Sequence, residues 1–90
     1  MGEISRDDQA LIAAYEEQIT LHPRSTIARY KLGLLLARLG RLDAAIEQWR
    51  EGVRIDPNNL AARLALDEAL SYLERKKRGQ ATFQSDHGLE

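Results

Sequence analysis

The chain contains only two prolines, Pro23 and Pro57, and they stand 34 residues apart. Sliding the sequence along itself by that interval brings much more than the prolines into register. Ile12 then meets Ile46, Tyr15 meets Trp49 and Ile19 meets Val53, while downstream Ala28 meets Ala62, Leu32 meets Leu66 and Leu36 meets Leu70. Two apolar seams and both prolines recur together, so the chain repeats one supersecondary unit. A unit of this length cannot bury its apolar face alone, and the fold has to come from stacking neighbours.

Each unit reads as two helices. Leu32, Leu36 and Leu39, then Ala45, Trp49 and Val53, keep the spacing of a helical face. Gly40 suits the left-handed cap that ends a helix, Asp43 is placed to cap the next one, and Pro57 stops it. The spacing predicts helices over 6–21, 26–39, 43–55 and 59–78. The expected fold is therefore all-α, with about four helices in antiparallel helix–turn–helix repeats. Ser5 followed by Asp8 resembles a capping box at the first start. Residues 1–5 form a short lead and 6–78 the helical domain. Residues 79–90 are polar and aperiodic and are expected to be disordered. Leu89-Glu90 reads as the scar left ahead of a purification tag.

The pattern resembles the tetratricopeptide repeat, a 34-residue helix–turn–helix with W-x2-L-G-x2-Y, then A-x3-F, then P. The full unit runs over 26–59: Leu32-Gly33 match the Leu-Gly pair, Leu36 stands at the tyrosine, Ala45 and Trp49 stand at A-x3-F, and Pro57 closes the unit. Gly40 and Leu42 match the turn, and Asp56 to Asn59 reproduce the family's Asp-Pro-Asn-Asn ending. Arg29 and Arg63 replace the leading tryptophan, with stems that cover apolar surface while the heads reach water. Gly52 stands where the family usually has alanine. Helix 6–21 looks like a second helix lacking its first, and helix 59–78 like a first helix lacking its second, a fragment of a solenoid. Asp67 at the place of Gly33 fits a terminal helix with no neighbour to admit. The resemblance implies that the small residues at 33, 45 and 52 let helices approach closely, although glycine in a helix costs about 1 kcal/mol relative to alanine. Trp49 and Leu36 would fill the space beside them.

Several function classes are excluded or disfavoured by composition. There is no cysteine, hence no disulfide, thiolate chemistry or thiolate-bound metal. Thirteen basic and 14 acidic residues leave a formal charge of −1, with no overall attraction to nucleic acid or an anionic membrane. No apolar run approaches the ~20 residues of a membrane span. Glu3, Arg6, Asp7 and Asp8 do not make a signal peptide, so the expectation is a cytoplasmic protein. The serines have only His22 and His87 as histidine bases; His22 reads as an exposed turn residue beside Pro23, and His87 falls in the tail. No metal-ligand set or glycine-rich phosphate loop is present. A non-enzymatic chain without cofactor or metal is expected. Asp7-Asp8 and Glu16-Glu17 read as solvated helix faces. Arg75-Lys76-Lys77-Arg78 reads as a cationic last turn favourable to the helix dipole. A nucleic-acid contact there is the weaker alternative, since no aromatic residues interleave the charges.

What the resemblance implies instead is a concave groove lined by the first helix of each unit. On helix 26–39 the corresponding face carries Ile27, Tyr30, Leu34 and Arg38; on helix 59–78 it carries Ala61, Leu64, Glu68 and Tyr72. Exposed, that strip suits an amphipathic or extended peptide from a protein partner. Buried under the first helix or a second copy, the same residues are only core. Relatives that grip the C-terminal carboxylate of chaperones carry Lys and Asn where this chain has Tyr30 and Leu34, so that ligand is disfavoured. The leading expectation is a protein–protein interaction module. The alternative is a self-associating element, a homodimer or a piece of a longer array, because solenoids usually need about three repeats.

Overall fold

A computed structural model describes the backbone of residues 4–89 and the side chains of residues 4–79. The chain forms α1 (Arg6–Leu21), α2 (Thr26–Arg38), α3 (Leu42–Ile55) and α4 (Leu60–Leu89). Each helix packs on the next in sequence, and α2 also touches α4. Stacking in one direction makes a slab of 57 × 34 × 14 Å rather than a ball.

Local chemistry accounts for most of the boundaries. The Ser5 hydroxyl accepts from Asp8 N–H at 3.1 Å and opens α1. The Ser25 hydroxyl does the same for Ala28 at 3.3 Å, and the side-chain Oδ1 of Asn59 for Ala62 at 3.1 Å, so α4 starts after Asn59 rather than at it. α2 ends in a Schellman motif: Gly40 sits at φ +82°, its N–H reaches Ala37 O at 3.0 Å and Arg41 N–H reaches Leu36 O at 2.8 Å. These bonds satisfy carbonyls that a helix end otherwise leaves open.

Four sequence expectations need correction. Asp43 does not cap α3; Arg41 holds the cap position and makes no side-chain cap bond, because the three-residue turn Leu39 to Arg41 uses Arg41 to close α2 as well. Asp43 lies in the first turn, where a carboxylate still favours the dipole. Asp8 does not complete a capping box or lie solvated, since its carboxylate pairs with Arg38 at 3.1 Å and its side chain is only 22% exposed. The arginine heads do more than reach water, since each is tied to a backbone carbonyl of the turn before its helix. Arg29 Nη2 donates to Pro23 O at 3.0 Å, and Arg63 Nη1 repeats this with Pro57 O at 3.3 Å. Finally, the backbone of α4 runs helical to Leu89 rather than ending at 78. No proline follows Pro57 to force a stop, and Glu90 lies outside the described residues.

The core sits where α2, α3 and α4 meet. Leu32, Leu36, Ala45, Ile46, Trp49 and Ala69 form one buried cluster. At its centre the Trp49 ring lies flat against the Gly33 backbone, and a Cβ placed on Gly33 would fall 2.2 Å from Trp49 Nε1. The indole N–H donates to Tyr30 O at 3.2 Å, which fixes the ring in place. Gly33 is glycine because Trp49 occupies the side-chain volume. Gly52 is different: an added Cβ would meet only Ala62 Cβ at 3.5 Å, an ordinary contact.

Candidate partner-binding surface

α2 presents Ile27, Tyr30, Leu34 and Arg38 along one side, three to four residues apart. They do not have equal standing. Ile27 is 66% exposed and Leu34 45% exposed, whereas Tyr30 is partly buried and packs on the core cluster. The Tyr30 backbone also receives the Trp49 indole. Tyr30 therefore belongs partly to the scaffold.

Leu34 and Arg38 meet α1 rather than α4. With Leu11, Tyr15, Lys31 and Leu35 they line a cavity of about 300 Å³ between α1 and α2. Its walls are leucine and tyrosine; its edge carries the ammonium of Lys31 and the guanidinium of Arg38, the latter tied to Asp8. Leu11 is itself 43% exposed. Sequence reasoning did not single out Leu11 or Lys31 for this surface. A signal was available: Leu11 stands in register with Ala45, so a large side chain occupies a place that is small and fully covered in the complete unit.

On α4, Leu64 and Tyr72 are 56% and 49% exposed, and Glu68 is exposed as well. Glu68 and Tyr72 line a second, more polar cavity with Asp67, Ser71 and Arg75. Tyr72 also borders a third, with Ala37, Gly40, Leu42, Leu73 and Lys76, where α4 passes the α2–α3 turn. The strip expected across both helices is thus distributed over separate hollows, with Leu34 in one and Tyr72 in others. The fold-defining residues behave as a set: Leu32, Gly33, Leu36, Ala45 and Trp49 are buried, while Gly40 and Pro57 are exposed turn positions.

On α3 the hydrogen bond from Arg54 holds Glu51 below the usual carboxylate range, helped by the charges of Arg54 and Arg29. The same bond raises Arg54. Among the described residues, no cluster of histidine, cysteine and acidic side chains stands where it would hold a metal ion. No described helix is long and apolar enough to cross a membrane.

A family model described as tetratricopeptide repeat matches residues 27–59. Over those residues the chain is similar to a tetratricopeptide repeat. The matched segment runs from the second residue of α2 to the cap of α4 and includes the whole α2–α3 pair. Searches of curated proteins and of solved structures found no match. Tetratricopeptide repeats are in general protein–protein interaction modules and typically non-enzymatic.

Proposed function

We propose that this chain is a non-enzymatic, cytoplasmic module that captures an amphipathic segment of a partner protein. The observation that supports this reading most is the hollow between α1 and α2, where Leu11 and Leu34 remain 43% and 45% exposed under a cationic edge of Lys31 and Arg38. Apolar walls favour an aliphatic or aromatic anchor, and the edge favours acidic residues flanking it. Ile27, Leu64, Glu68 and Tyr72 stand exposed outside that hollow and would add separate contacts for a longer ligand, while Tyr30 serves partly as scaffold. The helices are held by packing before the ligand arrives, so the bound segment carries most of the ordering cost.

The test is selection from a random peptide library, followed by affinity measurements on Leu34→Ser and Leu11→Ser. Both positions are substantially exposed, so both variants should keep the wild-type circular dichroism spectrum. At least a tenfold loss of affinity, equivalent to about 1.4 kcal/mol, is expected for selected peptides carrying an apolar anchor and acidic flanks. Equal binding by wild type and both variants would sink the reading.

A second reading, self-association, draws on Leu70, 38% exposed on α4, and on Leu11 at the opposite end. It requires a concentration-dependent mass for the wild-type chain, whereas the first reading requires a monomer.

A further inference from the structure

The two ends of this molecule are the separated halves of an interface that the molecule also contains intact. By the 34-residue register, α1 is equivalent to α3 and α4 is equivalent to α2. α2 and α3 are packed together, with Leu36 and Ala45 at 7% and 0% exposure between them. Their counterparts, Leu70 on α4 and Leu11 on α1, are 38% and 43% exposed. The charges correspond as well. Arg29 on α2 lies in the field of Glu51 on α3, and the equivalent positions are Arg63 on α4 and Glu17 on α1. The register therefore identifies one occupant for the open face of α4: α1 of a second copy.

One position breaks the match. The equivalent of Gly33 is Asp67, which is exposed. In the intact pair an ideal Cβ on Gly33 would lie 2.2 Å from Trp49 Nε1 and 2.8 Å from Trp49 Cδ1. The incoming counterpart of Trp49 is Tyr15. A phenol is smaller than an indole, yet its own Cδ atoms lie as near the backbone as the Trp49 Cδ1 that is already too close. Asp67 adds both the forbidden Cβ and a carboxylate that docking would strip of water, a costly step without a paired cation.

We propose that Asp67 is the residue that terminates the stack: α4 and the α1 of a second copy are complementary except at Asp67, which keeps the chain from joining head to tail. The contact is heterologous, with different faces on the two copies, so its release leads to an open-ended assembly rather than a closed dimer. This goes beyond partner capture and does not depend on it.

Sedimentation velocity over a wide concentration range tests the assignment. The wild type should stay monomeric. Asp67→Gly should show a mass that climbs past the dimer with concentration. Asp67→Gly combined with Leu11→Glu should be monomeric alone, since its α1 end is spoiled, yet should form a one-to-one complex with wild type through its opened α4. A helical but monomeric Asp67→Gly overturns the proposal, as does a self-associating wild type or an assembly that Leu11→Glu fails to block. If Asp67→Gly loses helicity, Asp67→Ala combined with Tyr15→Ala decides, since it removes the carboxylate and the ring that the remaining Cβ would meet. Association above wild type supports the proposal, and none overturns it.

Discussion

At the scale of single residues, two glycines inside helices have opposite meanings. Gly33 is held to glycine by Trp49, whose ring is buried and anchored on Tyr30 O. Gly33→Ala should lower the melting temperature, because overpacking typically costs ~1–3 kcal/mol against the ~1 kcal/mol that alanine returns as a helix former. Gly52 has room for a methyl group 3.5 Å from Ala62 Cβ. Gly52→Ala should raise stability by about 0.5–1 kcal/mol, which is roughly 2–8 °C in a thermal melt of a domain this small. The family pattern sets Gly52 apart, since alanine usually stands there, and the neighbour across each interface gives the physical reason. Glu51 supplies a pH-dependent residue effect. Its value is depressed in the folded chain, so its contribution is present above the ordinary 4.5 and is lost as pH falls through the lower folded value. Glu51→Gln should narrow the difference in melting temperature between pH 7 and pH 3. Added salt should shrink the effect, since both side chains are reached by solvent.

At the scale of elements, most boundaries were legible because they are written in local chemistry. Ser5, Ser25 and Asn59 accept from the first turns of their helices, and Gly40 takes the positive φ that any other residue adopts at a cost. Gly40→Ala should therefore destabilise by about 1 kcal/mol without changing the shape of the circular dichroism spectrum. The start of α3 was not legible. Asp43 is a good capping residue, but the Schellman motif closing α2 places Arg41 at the junction first. Asp8 shows the same rule in reverse: a local capping role was expected, and a long-range one with Arg38 at the far end of α2 prevailed. Arg38→Ala should cost under about 1 kcal/mol, as exposed ion pairs do. It should also loosen the edge of the α1–α2 hollow, read as a weaker response of the Tyr15 side-chain resonances to selected peptides.

At the scale of the whole molecule, the open surface lies on the outer sides of the stack. One complete unit lies between two halves, so α1 and α4 each keep a face that a neighbouring helix would otherwise cover. Leu34 and Tyr72 were expected on one strip because they occupy equivalent lines on equivalent helices. In the fold, α1 comes up beside Leu34 and the α2–α3 turn beside Tyr72, and each hollow takes its shape from those neighbours. Equivalence along the chain fixes which side of a helix a residue occupies; it does not fix what stands opposite. If peptide capture uses the α1–α2 hollow, Tyr72→Ala should reduce affinity less than Leu34→Ser for the same peptide. The reverse order would move the site to α4.

The sequence by itself determined the repeat, its period, the helices and the residues that make up the α2–α3 core, because turn chemistry and apolar spacing act over a few residues and recur 34 residues later. Tertiary structure decided which glycine is obligatory, where the arginine heads go, that Tyr30 is partly scaffold and that Leu11 joins Leu34 around one hollow. Each of those depends on an atom brought close by packing from another element, and such distances are set only when the helices stack.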